Sequence, residues 1–103
     1  MYKGTTPDIT MTFAEGAVDF DEADNILITI RDFRNALLLE VIPTHTTREL
    51  TIFLDQEQTL AFPVGNIFIQ ANWTYQEGGV TKRACSKIYE ISITFNLHNE
   101  VMS

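Results

Sequence analysis

The sequence predicts an all-β fold, an antiparallel sandwich of two sheets. Three observations predict it. From Ile67 to Tyr75, one face reads Ile67, Ile69, Ala71, Trp73, Tyr75 and the other Phe68, Gln70, Asn72, Thr74, which is the period of a strand with one core face and one mostly wet face. Shorter alternating runs recur along the chain, separated by turn-forming clusters at intervals of about 8–15 residues. Helical signal is confined to one segment, 55–61, and amounts to a single turn at most.

The elements follow in order. Asp8 to Phe13 alternates Ile9, Met11 and Phe13 with Thr10 and Thr12, and Glu15-Gly16 breaks it. Ala17 to Phe20 reads as a short continuation or an irregular connection. Asp21 to Asn25 is rich in residues that hydrogen-bond their own backbone and so predicts a turn. Ile26 to Asp32 is a strand with Ile26, Ile28 and Ile30 on one side, followed by a tight turn at Phe33-Arg34-Asn35 and a return strand from Ala36 to Ile42, ended by Pro43. Glu49 to Leu54 aligns Leu50, Ile52 and Leu54. Asp55 is placed to cap the one helical turn, with carboxylates near its positive end. Pro63 to Asn66 reverses the chain into the Trp73 strand, Gln76 to Gly79 closes it, and a last strand runs from Val80 to about Phe95. Residues 96–103 read as a tail. About seven short strands in this pattern predict a single immunoglobulin-like domain over residues 1–103, with Trp73 as core anchor and a small barrel as the competing topology.

Length and composition bound the rest. A chain of 103 residues with 45% apolar content makes one domain with a real core. No apolar run approaches the roughly 18 residues that span a bilayer, so no membrane is expected as a partner. The net charge is −7, and residues 1–54 hold nine acids against Lys3, Arg31, Arg34 and Arg48. Phosphate backbones repel such a surface, and the short basic run Lys82 to Lys87 is weak compensation, so no nucleic-acid partner is expected. Cys85 is the single cysteine, which excludes an internal disulfide and fits a reducing compartment. Met1 to Gly4 shows no charged-then-apolar leader, so no signal peptide is expected.

The chemistry-bearing residues form no signature. The acidic loop Asp19 to Asn25 invites calcium, but an EF-hand loop starting at Asp19 would need Gly where Asp24 stands and Glu where Ile30 stands. His45, His98 and Cys85 lack the paired spacing of a zinc site. Cys85 has basic neighbours that would favour its thiolate, yet no base or orienting group is fixed beside it by sequence. Gly65, Gly78 and Gly79 sit at turns rather than in a phosphate loop. Asn72-Trp73-Thr74 matches a glycosylation sequon, which means little where no secretion signal is expected. No catalytic, cofactor-binding or metal residue is therefore named, and no enzyme activity is expected. Phe53 and Phe68 stand opposite the main apolar sets and would lie on an outer face, where an aromatic patch marks a partner surface.

The opening Met1 to Pro7, the segment Leu54 to Phe62, the strand Gln70 to Tyr75 and the closing Leu97 to Val101 resemble small prophage-encoded structural proteins of Gram-positive bacteria. They are similar to the immunoglobulin-like N-terminal module of phage baseplate upper proteins. The resemblance implies a tail or baseplate accessory protein, assembled in the bacterial cytoplasm into a virion and acting by contact with other phage structural proteins or with further copies of itself. It carries no catalytic or ligand residues, and a small accessory or connecting subunit is expected rather than a complete baseplate adhesin. A carbohydrate-binding sandwich that stacks sugars on exposed Trp73, Tyr75 or Phe68 is the alternative expectation.

Overall fold

The computed structural model describes residues 1–14 and 18–94. The expected break at Glu15-Gly16, the tail 96–103, His98 and the Leu97–Val101 resemblance segment fall wholly or partly outside them. The described residues form eight strands in two antiparallel sheets, with one short helix and a 3-10 turn: β1 (Asp8–Thr12), β2 (Ala23–Asp32), β3 (Leu37–Val41), β4 (Thr44–His45), β5 (Glu49–Phe53), α1 (Gln56–Ala61), β6 (Gly65–Glu77), β7 (Val80–Cys85) and β8 (Tyr89–Ile93). The smaller sheet runs β1-β5-β4 and the larger β3-β2-β6-β7, with β8 also paired to β6. This is an all-β sandwich.

One hydrophobic core joins the sheets. Met11, Leu50 and Ile52 come from the smaller sheet; Ile28, Ile30, Ile67, Ile69, Ala71, Trp73 and Ile93 come from the larger. Cross-strand neighbours share each face, with Ile30 opposite Ile69 and Ile28 opposite Ala71. Burying each aliphatic side chain is worth about 1.5–3 kcal/mol, so these alternating positions carry the fold. Trp73 is the core anchor the pattern predicts: it is 8% exposed. Its ring meets Phe13 and Phe20 edge-to-face, with centroids 5.8 and 5.1 Å away, the geometry aromatic quadrupoles prefer.

Local chemistry explains the connections. Asp55 caps α1 by accepting from the Gln58 N–H at 2.7 Å, while the Gln58 side chain accepts from the Asp55 N–H at 2.9 Å, a reciprocal capping box. In the β2–β3 hairpin, Asp32 Oδ1 accepts from the N–H groups of Arg34 (2.8 Å) and Ala36 (2.9 Å), and Asn35 takes a φ of 64°. Gly78 and Gly79 both have positive φ, 59° and 79°, as the tight turn between twisted strands requires.

Three features depart from the expected elements. The turn expected at Asp21–Asn25 is instead a 3-10 turn at Phe20–Glu22 leading straight into β2. The strand absorbs its polar start through an irregularity between Asp24 and Leu27, with Asn25 at a φ of 52°. Thr44–His45 adds the brief strand β4. The last strand is two, because Ser86 interrupts it: its Oγ accepts from the Ala71 N–H at 3.0 Å in place of a backbone carbonyl. Asn72 faces Cys85 and Ile69 faces Tyr89, so Ser86, Lys87 and Ile88 stand opposite only Gln70 and Ala71. That extra residue is a β-bulge.

Candidate functional site

The core face of β6 is spent on packing, which leaves its other face. There Phe68 lies between Arg31 of β2 and Glu90 of β8, Gln70 beside Thr29, and Asn72 between Leu27 and Cys85. Most of this outer face is cross-linked by its own polar groups. Arg83 Nη2 donates to Asn72 Oδ1 at 3.3 Å, Asn25 Nδ2 to Thr74 Oγ1 at 3.3 Å, and Gln70 Nε2 to the Ser86 carbonyl at 2.9 Å. Asn66 Nδ2 donates to Glu90.

At the hairpin end the face opens into a groove of about 300 Å³, walled by Phe33, Phe68 and Ile88 with Thr29, Arg31 and Gln70 along it. The Asp32-centred turn forces Phe33 out of the sheet, where it is 56% exposed and carries the Arg34 guanidinium 5.3 Å above its ring. Ile88 is 60% exposed because it stands in the bulge. Arg31 is half-buried and donates one N–H to the Asn35 carbonyl at 2.9 Å. A guanidinium has five donors, and among the described residues Arg31 has no ion pair. The ion pairs seen there are Lys82–Glu77 at 3.3 Å and His45–Asp21 at 3.7 Å. The groove thus offers apolar walls and a fixed cation. It can hold an apolar group together with a hydrogen-bond acceptor.

The other candidates do not converge on it. Asp19 Oδ1 accepts from the Asp21 N–H at 3.0 Å, and Asp21 Oδ2 from Thr47 Oγ1 at 2.7 Å, so these acids hold the loop in place. Among the described residues no three His, Cys, Asp or Glu side chains gather as a metal site. His45 lies on the smaller sheet and Cys85, exposed, on the larger. In the basic run, Lys82 pairs with Glu77 and Lys87 sits 5.0 Å over the Tyr89 ring. Trp73 is buried and Tyr75 and Phe68 half-buried, so the sugar-stacking platform expected of Trp73 does not exist. Phe53 is 61% exposed on the smaller sheet, away from the groove. No helix among the described residues is long and apolar enough to cross a membrane.

Compared with protein-family models and with curated proteins, the chain matches none. The site therefore rests on geometry. Sequence alternation places Arg31, like Phe68 and Gln70, on an outward face, but misses that Phe33 and Ile88 join them in one groove. The available signal was the Asp32–Asn35 pair, which makes the turn that presents Phe33.

Proposed function

We propose that the chain is a non-enzymatic interaction module, an accessory structural component of a phage or prophage particle that docks other proteins on the hairpin end of its larger sheet. One observation carries this. Of eight exposed large apolar residues among the described ones, four (Tyr2, Phe33, Leu37 and Val64) lie around that end, and a fifth, Ile88, lines the groove with Phe33. Val64 precedes Gly65, where an added Cβ would lie 3.9 Å from the Phe33 ring. Leu37 stands opposite Arg31, and Tyr2 bridges to Thr94 beside the Ile93–Gly65 pair. Exposed apolar residues concentrated in this way mark a protein contact surface. The resemblance to prophage structural proteins supplies the particle, and with it the cytoplasmic assembly and the phage partners.

The test is capture of the purified products of neighbouring genes, with mass measurement of the free protein. The wild type binds at least one of them or self-associates, and Phe33→Ser/Ile88→Ser loses the contact while keeping the fold. A strictly monomeric protein that binds none of its neighbours would overturn the proposal.

A further inference from the structure

Independently of the hairpin end, we propose that the open edge of β1 pairs antiparallel with β1 of a second copy, Thr10 facing the partner's Thr10, so that the two smaller sheets become one.

The backbone decides which groups are open. The Pro7 carbonyl accepts from the Leu54 N–H and the Arg48 carbonyl from the Phe13 N–H. Both belong to the register that sets Ile9 opposite Ile52 and Met11 opposite Leu50. Bonding and non-bonding residues alternate in an antiparallel pair, so Asp8, Thr10 and Thr12 turn their N–H and C=O groups to the other side. Among the described residues, β5 is the one strand paired with β1. Such an edge is a template for another chain unless something blunts it. The other edges are blunted. β4 is two residues long, β7 carries Lys82 and Arg83, and β3 is bulged at Leu38, which stands between the Leu37–Arg31 and Leu39–Ile30 pairs. Beyond β8, Thr94 donates to the Met1 carbonyl and Lys3 to the Thr94 carbonyl, so that edge is partly taken. Between Asp8 and Thr12, β1 has no bulge, proline or cation.

Self-pairing fits these residues. Two edges bond only where outward-turned residues meet. The greatest overlap sets Thr10 opposite the partner's Thr10 and Asp8 opposite the partner's Thr12, which makes about six backbone hydrogen bonds. The same register puts Ile9 opposite the partner's Met11 on the inner face. There an opening of about 280 Å³ lies between the sheets, walled by Ile9, Met11, Ile69, Tyr89 and Ile91. Ile9, Tyr89 and Ile91 are only half-buried, and a second copy of the apolar row covers them. The one charge on the edge, Asp8, meets a hydroxyl rather than its own counterpart. The next acid in its row is the partner's Glu49, two strand spacings or about 9.5 Å away. Glu90 also borders the opening, so like-charge repulsion opposes assembly and salt relieves it.

The test is sedimentation velocity and amide exchange on the full chain at about 10 µM and about 1 mM, the range in which a small interface titrates. The mass rises toward the dimer with concentration, and further with added sodium chloride. The Thr10 and Thr12 amides slow by at least about tenfold at the higher concentration, while those of Ile9 and Met11, bonded to β5, change little. Thr10→Lys sets two ammonium groups opposite each other and weakens dimerisation at least about tenfold. Trp73 emission stays unchanged in that variant, because Thr10 is exposed and loses only its hydroxyl contact with Thr51. In a Cys85→Ser background, oxidised glutathione cross-links Thr10→Cys, whose opposed Cα atoms lie about 5.5 Å apart. Thr12→Cys stays uncross-linked, since its counterpart is about 14 Å away.

A protein that is monomeric at about 1 mM, Thr10 exchange that is the same at both concentrations, or equal cross-linking of the two cysteine variants would overturn the proposal. So would a dimer that Phe33→Ser/Ile88→Ser abolishes and Thr10→Lys spares, an outcome that leaves the hairpin-end surface standing. A dimer with the opposite sensitivities supports it.

Discussion

Replacing Ser86 with Ala removes one oxygen and tests how the larger sheet is held at its bulge. Ser86 is 7% exposed and Ala71 fully buried. The Ser86 Oγ is the acceptor for the Ala71 N–H at 3.0 Å, while it donates to the Lys87 carbonyl at 2.7 Å. The second bond matters little, because Lys87 is exposed and water can replace it. The first cannot be replaced. A buried donor left without a partner costs about 1–3 kcal/mol, so the expected loss is about 2 kcal/mol. For a domain of this size that lowers Tm by about 8–16 °C. The register of β8 should survive. Sliding it to remove the bulge would set Glu90 opposite buried Ile67 and turn Tyr89, Ile91 and Ile93 outward. Urea unfolding followed by Trp73 fluorescence gives the stability, and amide exchange gives the location. The Ala71 amide loses protection selectively, while Ile67 and Ile69 remain protected up to the reduced global limit. Thr81→Ala, which removes an exposed bond to Gln76, stays within about 0.5 kcal/mol of wild type. A Ser86→Ala change within that same margin, with Ala71 still protected, would refute the bulge as the structural pin.

Three further outcomes follow from named contacts. Phe20→Ala empties a fully buried site and breaks ring contacts to Phe13 and Trp73; it costs about 3–5 kcal/mol, read by chemical denaturation, and red-shifts Trp73 emission. At the β6–β7 turn an added Cβ meets nothing within 4 Å at Gly78 or Gly79, so backbone conformation alone decides. Gly79→Ala costs about 1–2 kcal/mol, and Gly78→Asn is neutral or better by thermal melting, since Asn accepts the left-handed region that Ala resists. Thr59→Val removes the 2.7 Å bond from its buried Oγ1 to the Thr5 carbonyl. It costs about 1 kcal/mol and speeds tryptic cleavage after Lys3, because that bond ties the N-terminal segment to α1.

What could be read from the chain was whatever repeats locally. The Ile67–Tyr75 alternation fixed which β6 residues are buried, because a strand's faces follow from its own period. The Asp55 cap and the Gly78-Gly79 turn were legible for the same reason, their partners lying within a few residues. The irregularities were not. The shifts at Asp24/Leu27, at Ile30/Arg31 and at Ser86 each depend on which donor meets which acceptor across strands distant in sequence. Bulges redirect side chains, and they concentrate where a sheet must present something. Here the groove lies between two of them. Arg31 adjoins the shift between β2 and β3, and Ile88 ends the Ser86 bulge, while the regular pair Thr29–Gln70 forms the stretch between. The regular period built the core. The breaks in that period, invisible to any reading of alternation, bring Ile88 and Arg31 to the two ends of one opening.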